Sequence, residues 1–113
     1  MISPYEISLD ELRVNNKVIK FPYEIVKVIH FDDGYCVLLH TNTKKCRDNV
    51  FFINADGTIR WQIEPFAYVE KPKYTGYTNI WAKDDELHVF MFDGFDCHID
   101  PKTGKILSRD FVK

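Results

Sequence analysis

The stretch that decides the fold is Leu87 to Ile106, which reads L-H-V-F-M-F-D-G-F-D-C-H-I-D-P-K-T-G-K-I. Asp93 and Gly94 separate two runs rich in apolar residues, and this dipeptide suits a type I′ turn because both residues tolerate a positive φ. A two-residue turn at this point predicts an antiparallel hairpin in which Phe90 lies opposite Cys97. The stretch therefore predicts local structure in detail, and it contains no reaction motif.

The predicted register gives this hairpin two faces, because residues that lie opposite each other share one side of a sheet. The first face is apolar and is predicted to join the core: Phe90, Phe92, Phe95, Cys97 and Ile99, with His88 at its end. The second face mixes apolar and acidic side chains: Leu87, Val89, Met91, Asp96, His98 and Asp100. The second face is predicted to be either a strand partly covered by a loop or a docking surface rimmed by carboxylates.

Length and composition predict a single domain. The chain has 113 residues, of which 15% are aromatic and 28% charged, and this length buries a core without disulfide staples. No apolar run approaches the roughly 18 residues that span a bilayer, and the opening M-I-S-P-Y-E-I-S lacks the pattern of a signal peptide. Three cysteines without close spacing are typical of reduced thiols. We therefore expect a cytoplasmic protein with no membrane partner.

The net charge of −2 hides a segregation of charge along the chain. Residues 84 to 100 contain no Lys or Arg and six carboxylates: Asp84, Asp85, Glu86, Asp93, Asp96 and Asp100. Basic residues cluster elsewhere: Lys44, Lys45, Arg47, Lys71, Lys73, Lys102, Lys105, Arg109 and Lys113. Because they form no continuous basic stripe, direct binding to DNA or RNA is disfavoured.

Turn residues divide the chain into about ten short strands, and no segment has a helical period. The prediction is an all-β fold, a single antiparallel domain (1–113) that forms a small barrel or sandwich built from hairpins. Its parts are an N-terminal hairpin (1–23), a first blade-like module (24–64), a loop rich in aromatic residues (65–79) and a second blade-like module (80–113). We expect a monomer or a weak homodimer.

Three further turns predict how their strands pair. Asn15 and Asn16 suit a two-residue turn, whereas Gly34 and Gly57 are each expected in the left-handed region at the end of a longer loop. The predicted cross-strand pairs are Glu11 with Lys20, His30 with Cys36, Ile53 with Ile59, and Phe51 with Trp61. The pair around Gly34 is apolar on both sides, so it is expected to be central in the fold.

Two stretches of the chain echo each other: F-I-N-A-D-G-T-I-R-W at Phe52 to Trp61 and H-I-D-P-K-T-G-K-I-L at His98 to Leu107. The second resembles the signature of quinoprotein-type (PQQ-like) β-propeller repeats, in which an Asp and a Thr-Gly close the outer hairpin of a blade. The first is similar to a degenerate copy that keeps the family's Trp, where the second has Ser108. A closed propeller typically needs about four to eight blades, so the resemblance implies blade-like hairpins only. It does not imply the quinone cofactor, whose site in that family is assembled from many blades.

Catalytic and metal sites are weakly indicated. His30 and Cys36 meet in the predicted register, but His40 lies about 13 Å along the strand from Cys36, too far to share one tetrahedral ion. Cysteines in apolar strands have a raised pKa and are usually inert, and the paired carboxylates at 32–33 and 84–85 sit in turns that favour Asp for backbone reasons. We therefore expect no enzyme activity, no metal site and no cofactor.

The remaining signal is a surface for binding another protein. Aromatic residues of the kind that anchor interfaces adjoin the acidic segment. The predicted partner-binding residues are Tyr74, Tyr77, Trp81, Asp84, Asp85, Glu86, Asp93, Asp96, His98 and Asp100. In size, class and charge layout the chain is similar to the immunity proteins of bacterial toxin systems, in which carboxylates often cap a basic toxin or nuclease domain.

The alternative prediction is a β module that binds a small ligand or peptide. It requires a concave pocket lined by the aromatic loop and flanked by Tyr68, Tyr74 and Tyr77. An inhibitor instead requires a flat or convex acidic patch. The aromatic side chains of the loop serve either as binding surface or as closure of the core, and the sequence leaves both open.

Overall fold

The structure is a computed structural model that describes residues 5–40, 48–63, 76–91 and 94–111. In those ranges all regular structure is β, which confirms the predicted class. The eleven strands are β1 (Tyr5–Ser8), β2 (Glu11–Val14), β3 (Lys17–Lys20), β4 (Ile25–Phe31), β5 (Gly34–Leu39), β6 (Val50–Asn54), β7 (Ile59–Gln62), β8 (Tyr77–Lys83), β9 (Glu86–Met91), β10 (Phe95–Ile99) and β11 (Ile106–Phe111). No helix that could cross a membrane occurs in this part of the chain.

The strands form three antiparallel sheets, and each sheet is a meander of consecutive hairpins. Sheet A is β1-β2-β3, sheet B is β4-β5-β6-β7 and sheet C is β8-β9-β10-β11. Among the described residues no sheet closes into a barrel. Four-stranded meanders are the form of propeller blades, so sheets B and C match the blade-like hairpins expected from the sequence.

Two apolar clusters hold the sheets in a three-layer stack with sheet B in the middle. One cluster joins sheets A and B and includes Leu12, Val14, Val37 and Ile53. The other joins sheets B and C and includes Cys36, Leu38, Phe52, Trp61, Leu87, Val89, Cys97 and Ile99. Strand β5 contributes to both clusters, and all six of its residues are buried. Sheets A and C therefore each keep one outer face that no described element covers.

Local turn chemistry predicted two of the registers. Asn15 has a φ of 57°, and the β2–β3 pairing places Glu11 opposite Lys20, as expected for a two-residue turn. Gly57 has a φ of 92°, and Ile53 lies opposite Ile59. A bulge after Ile53 then moves Trp61 opposite Phe52 instead of Phe51.

The predicted register around Gly34 is wrong by one residue. Phe31 pairs directly with Gly34, so His30 lies opposite Tyr35 and not opposite Cys36. Gly34 is absent from the glycines with positive φ, and a Cβ at this position would collide with the Ile53 carbonyl oxygen. Glycine is needed here because strand β6 approaches closely, not because the turn requires a left-handed residue.

The predicted register of the opening hairpin is also wrong by one residue. Phe90 lies opposite Asp96, so the loop contains one residue more than a two-residue turn, and Gly94 takes the left-handed region with a φ of 98°. This shift exchanges the faces of β9, because alternate residues point to opposite sides. Val89 and Met91, predicted on the acidic face, are buried in the core, while His88 and Phe90 lie on the outer face.

The aromatic loop predicted at 65–79 is partly wrong. Residues 64–75 lie outside the described ranges, but Tyr77 begins strand β8 and is fully buried. The side chain of Asn49, the one buried polar residue among those described, explains why Tyr77 lies in the core. Asn49 Oδ1 accepts a hydrogen bond from the Tyr77 backbone N–H at 2.9 Å, and Asn49 Nδ2 donates to the carbonyl oxygens of Tyr77 at 2.8 Å and Leu39 at 2.7 Å. One amide thus ties sheet C to sheet B.

The two stretches that echo each other in sequence contact one another in space. Trp61 donates from Nε1 to the carbonyl oxygen of Pro101 at 2.8 Å, and its ring covers Gly104, where a Cβ would approach within 2.6 Å of the indole. Arg60 donates to the same Pro101 oxygen at 3.2 Å and to the Asp33 carbonyl oxygen at 3.1 Å. Strand β7 is therefore fixed to the β10–β11 turn.

Candidate functional site

The candidate site is the outer face of sheet C, which collects half of the predicted partner-binding residues. Cross-strand pairing aligns Trp81 with His88 and His88 with His98, and alternation adds Glu86, Asp96 and Asp100 to the same face. Asp84 and Asp85 form the β8–β9 turn at its rim, where Asp84 has a positive φ of 57°. Seven of the predicted residues thus occupy one face and its edge.

One predicted residue is absent from this face, and two lie outside the described residues. Tyr77 is wrong as a surface residue, because it is buried between sheets B and C. Tyr74 and Asp93 lie outside the described residues. The sequence analysis also missed His88, Phe90, Ser108 and Asp110, which the observed register brings to the outer face. The one-residue error in the hairpin assigned His88 and Phe90 of β9 to the wrong side, and no register was predicted for β11, which carries Ser108 and Asp110.

Three aromatic rings on neighbouring strands form a parallel stack across the face. The rings of Trp81 and His88 are 4.1 Å apart with an interplanar angle of 12°, and those of His88 and His98 are 5.1 Å apart at 15°. These spacings match the distance of about 4.8 Å between strands in a sheet. We call Trp81, His88 and His98 the ring stack.

Two carboxylates contact the ring stack. Glu86 Oε1 lies 3.2 Å from His88 Nε2 and 3.9 Å from His98 Nε2. Asp96 Oδ1 accepts from Trp81 Nε1 at 3.3 Å, and Asp96 Oδ2 lies 3.3 Å from His88 Nδ1. This last contact is not a hydrogen bond, and His88 Nδ1 is buried without a hydrogen-bond partner. The stack is thus held in a partly desolvated acidic setting.

Only one described carboxylate of this face, Glu86, has a basic cross-strand neighbour. Asp96 lies directly opposite Asp110 in the β10–β11 pairing, an arrangement of like charges that destabilises a sheet. Arg109 pairs with Cys97 and therefore belongs to the inner face. Among the described residues, Lys83 is the only Lys or Arg that alternation assigns to the outer face, and it lies opposite Glu86.

The outer face of sheet A provides the contrast within the same molecule. Glu6 lies opposite Arg13, and Glu11 lies opposite Lys20, so each acid on this face has a basic cross-strand neighbour. Such pairs stabilise a sheet that faces water. Sheet A pairs both acids of its outer face with bases, whereas sheet C pairs Glu86 with Lys83 and places Asp96 opposite Asp110.

Other chemistry is poorly supported by the described residues. Burial raises the pKa of the Cys36 thiol far above its ordinary value and raises that of Cys97 to about 11, so neither is a nucleophile near neutral pH. Within the described ranges no group of three potential ligands could hold a metal ion. One open pocket of about 330 Å³ lies by the A–B junction, lined by Leu9, Asp10, Pro22, Tyr23 and Glu24, far from the ring stack in the strand order.

Comparison with known proteins identifies a family and a fold. No curated protein matches the sequence. The fold is similar to that of the computationally designed Ika8 protein, with a TM-score of 0.61 at 11% sequence identity over 96% of this chain. This chain spans 36% of the designed chain, so the likeness concerns the arrangement of strands alone. Residues 2–111 match the family described as Domain of unknown function (DUF7957), and the chain therefore belongs to that family.

Proposed function

We propose that this protein is a non-catalytic protein-binding domain, an immunity or antitoxin-type inhibitor that caps a basic toxin domain in the bacterial cytoplasm. The observation that carries the proposal is the contrast between the two outer faces. Sheet C gathers Glu86, Asp96 and Asp110 on one surface and pairs only Glu86 with a base, Lys83, while sheet A pairs each acid with a base. Surfaces that break a local rule of stability are expected at functional sites.

Electrostatics explains how such a face would act. Unbalanced carboxylates attract a basic partner over long distances and speed association. A basic groove that binds nucleic acid would lose access to its substrate when these carboxylates occupy it. The same contact would relieve the repulsion between Asp96 and Asp110, because cations of the partner would lie between them.

Aromatic side chains on the face supply contact area. Trp81 and Phe90 are partly buried and lie on the outer face beside the carboxylates. Aromatic anchors surrounded by polar groups are typical of protein interfaces. The face thus has both an electrostatic and an apolar component, although Val89 and Met91 do not contribute to it.

The small-ligand alternative receives less support. It depends on a concave site flanked by tyrosines, and Tyr77 is part of the core. The open pocket by Tyr23 contains none of the residues predicted for that site. We therefore retain the binding of a basic protein as the conclusion.

The test is co-expression with the product of the reading frame adjacent to its own on the chromosome. We expect that product to arrest growth when expressed alone, and the present chain to restore growth and to form a complex with it. An adjacent product that is neither toxic nor bound would contradict the inhibitor proposal.

Matched charge reversals then locate the interface. Glu86→Lys with Asp110→Lys on sheet C should slow association at low salt by at least about ten-fold. Glu6→Lys with Glu11→Lys on sheet A changes the net charge equally and should leave the rate within about two-fold. Equal slowing by both pairs would show that net charge alone matters and would remove the outer face of sheet C as the site. Thermal unfolding of each variant checks that the fold is intact.

A further inference from the structure

His88, the middle ring of the ring stack, lies between two carboxylates. Its Nε2 atom is 3.2 Å from Glu86 Oε1, and its Nδ1 atom is 3.3 Å from Asp96 Oδ2. The His88 side chain is only 14% exposed, and Nδ1 is buried without a hydrogen-bond partner. Asp96 is also held from another side, because its Oδ1 accepts from Trp81 Nε1. Each nitrogen of one imidazole thus faces an acceptor oxygen.

The number of protons on the His88 ring decides whether this arrangement is favourable. A neutral imidazole has one N–H and one bare nitrogen, and an ionised carboxylate only accepts hydrogen bonds. If Nε2 carries the proton and donates to Glu86, the lone pair of the buried Nδ1 faces the Asp96 oxygen. The other tautomer moves the same repulsion to Glu86. The imidazolium has a donor on both nitrogens, so it is the one form that matches both carboxylates.

The groups around His88 act on its charge in both directions. The Trp81 ring lies 4.1 Å away at 12°, and an indole face attracts a cation within about 6 Å. Burial of the ring opposes a charge, and so do the neighbouring cations, since Lys83 pairs with Glu86. The titratable groups on the neighbouring strands are Lys83 on β8, Glu86 on β9, Asp96 and His98 on β10 and Asp110 on β11, with Asp84 and Asp85 at the rim.

We propose, building on the proposed function, that His88 is a proton-operated switch of the outer face of sheet C: the protonated ring bridges Glu86 and Asp96 and withdraws both carboxylates from a basic partner. Imidazole is the side chain that gains a proton between about pH 8 and pH 5. The proton and the partner compete for the same two carboxylates, and such competition is reciprocal. The face therefore binds cations more tightly at pH 8 than at pH 5.5.

The bridge is tested on the full chain alone by an NMR titration from pH 8 to pH 5.5. Carboxylates are ordinarily ionised throughout this range, so movement of their signals reports on the ring beside them. We expect the carboxyl carbons of Glu86 and Asp96 to shift with the same midpoint as the ring nitrogens of His88, and the protonated ring to show an N–H on both nitrogens. Carboxyl signals that do not follow His88 would overturn the switch and leave the basic-partner proposal intact.

The effect on binding is tested by calorimetry with an oligo-lysine peptide, blocked at both ends so that its charge stays constant over this range. We expect its affinity to fall by about five-fold or more between pH 8 and pH 5.5. His88→Gln should limit the fall to within about two-fold. His98→Gln keeps the ring between the two carboxylates and should retain most of the fall.

The matched control is His30→Gln, which removes an exposed imidazole from strand β4 of sheet B and should leave the fall unchanged. Thermal unfolding checks that each variant is folded. An equal fall in the wild-type chain and in His88→Gln, or an equal loss of the fall in His88→Gln and His98→Gln, would refute the switch. A peptide that binds at neither pH would contradict the proposed function and the role of His88 in binding, while the NMR titration still tests the bridge itself.

Discussion

The same row of residues has opposite environments in the two four-stranded sheets. In sheet B the row consists of Ile29, Cys36, Phe52 and Trp61, and it packs against sheet C. In sheet C the equivalent row consists of Trp81, His88, His98 and Ser108, and no described element covers it. We call these the covered row and the open row. They occupy matching positions of similar meanders, so the comparison shows the effect of being covered by another sheet.

The difference in residue type follows from the difference in environment. The covered row is dominated by apolar groups, and its one hydrogen-bonding ring atom, Trp61 Nε1, is satisfied by Pro101. The open row contains two imidazoles and borders several carboxylates, which a dry interface would accept only with matching partners. The outer face of sheet C is therefore unsuited to another apolar sheet, and we propose that it binds a polar and cationic partner.

The largest expected effect is a difference in the free energy of unfolding between variants of the two rows. Phe52 is fully buried against Phe31 and Trp61, so Phe52→Ala should lower the free energy of unfolding by about 3–5 kcal/mol. His98→Ala at the equivalent position of the open row should cost less than about 1 kcal/mol, because the ring has one uncovered side. Urea unfolding measures both values. Similar losses of unfolding free energy for the two variants would contradict the description of one row as covered and the other as open.

A second prediction concerns the contact that closes the covered row. Gly104 has a φ of 78° and lies against the Trp61 ring, so Gly104→Ala combines backbone strain with overpacking and should cost about 2–3 kcal/mol. Thermal unfolding measures the loss. Gly94, which has a φ of 98°, supplies the control: Gly94→Asn keeps a residue that tolerates the left-handed region and should cost less than about 1 kcal/mol. A neutral Gly104→Ala would show that Trp61 does not hold the turn.

A third prediction uses two buried thiols, that of Cys36 in the covered row and that of Cys97 in the same apolar cluster. Burial raises the folded-state pKa of Cys36 and raises that of Cys97 to about 11, against an ordinary value of 9.0. Because the folded state disfavours the thiolate, stability is fully present below pH 9.0 and is lost as the pH rises toward 11, by up to about 1.4 kcal/mol per pH unit for each thiol. Denaturant unfolding from pH 8 to 11 measures this slope.

Thiol labelling gives the control for that prediction. In a Cys46→Ser background, Cys36 and Cys97 should react with a thiol reagent only as fast as the protein unfolds. Rapid labelling of the folded protein at neutral pH would contradict the burial of both side chains.

The smallest expected effect tests the charge imbalance. Asp110→Lys replaces a like-charge pair with an opposite-charge pair across β10–β11 and should stabilise the fold by about 0.2–1 kcal/mol. On sheet A, Lys20→Glu creates a like-charge pair with Glu11 and should destabilise by a similar amount. Urea unfolding at low salt resolves the two signs, and high salt should shrink both. Destabilisation by Asp110→Lys would mean that the observed pair is already neutralised.

The fold class and part of the pairing were predictable because they depend on local chemistry. Asn15 and Gly57 adopt the positive φ that their turns require, and their strands pair as expected next to each turn, although a bulge beyond Ile53 moves Trp61 opposite Phe52. Asp96, His98 and Asp100 were correctly grouped, since alternation along β10 does not depend on any turn. Local rules thus sufficed wherever one strand or one turn determined the outcome.

The remaining errors arose where turn length depends on tertiary contacts. Gly34 is required by the approach of β6, which a sequence pattern around the turn does not encode. The hairpin at Gly94 has a longer loop than its Asp-Gly suggests, and a shift of one residue exchanged the faces of β9. Tyr77 was placed in a loop because its partner, Asn49, lies 28 residues away. The ring stack went unnoticed for the same reason, since it needs three strands in register.

The most direct test of the central claim is an NMR titration of the isotope-labelled chain with a short basic peptide at low salt. The account predicts that backbone signals of outer-face residues on β8 to β11, with His88 and His98 foremost, shift in a saturable manner. Signals from the outer face of sheet A should stay unchanged. Shifts spread equally over both outer faces, or confined to Glu6 and Glu11 on sheet A, would contradict the claim that the open row marks the binding surface.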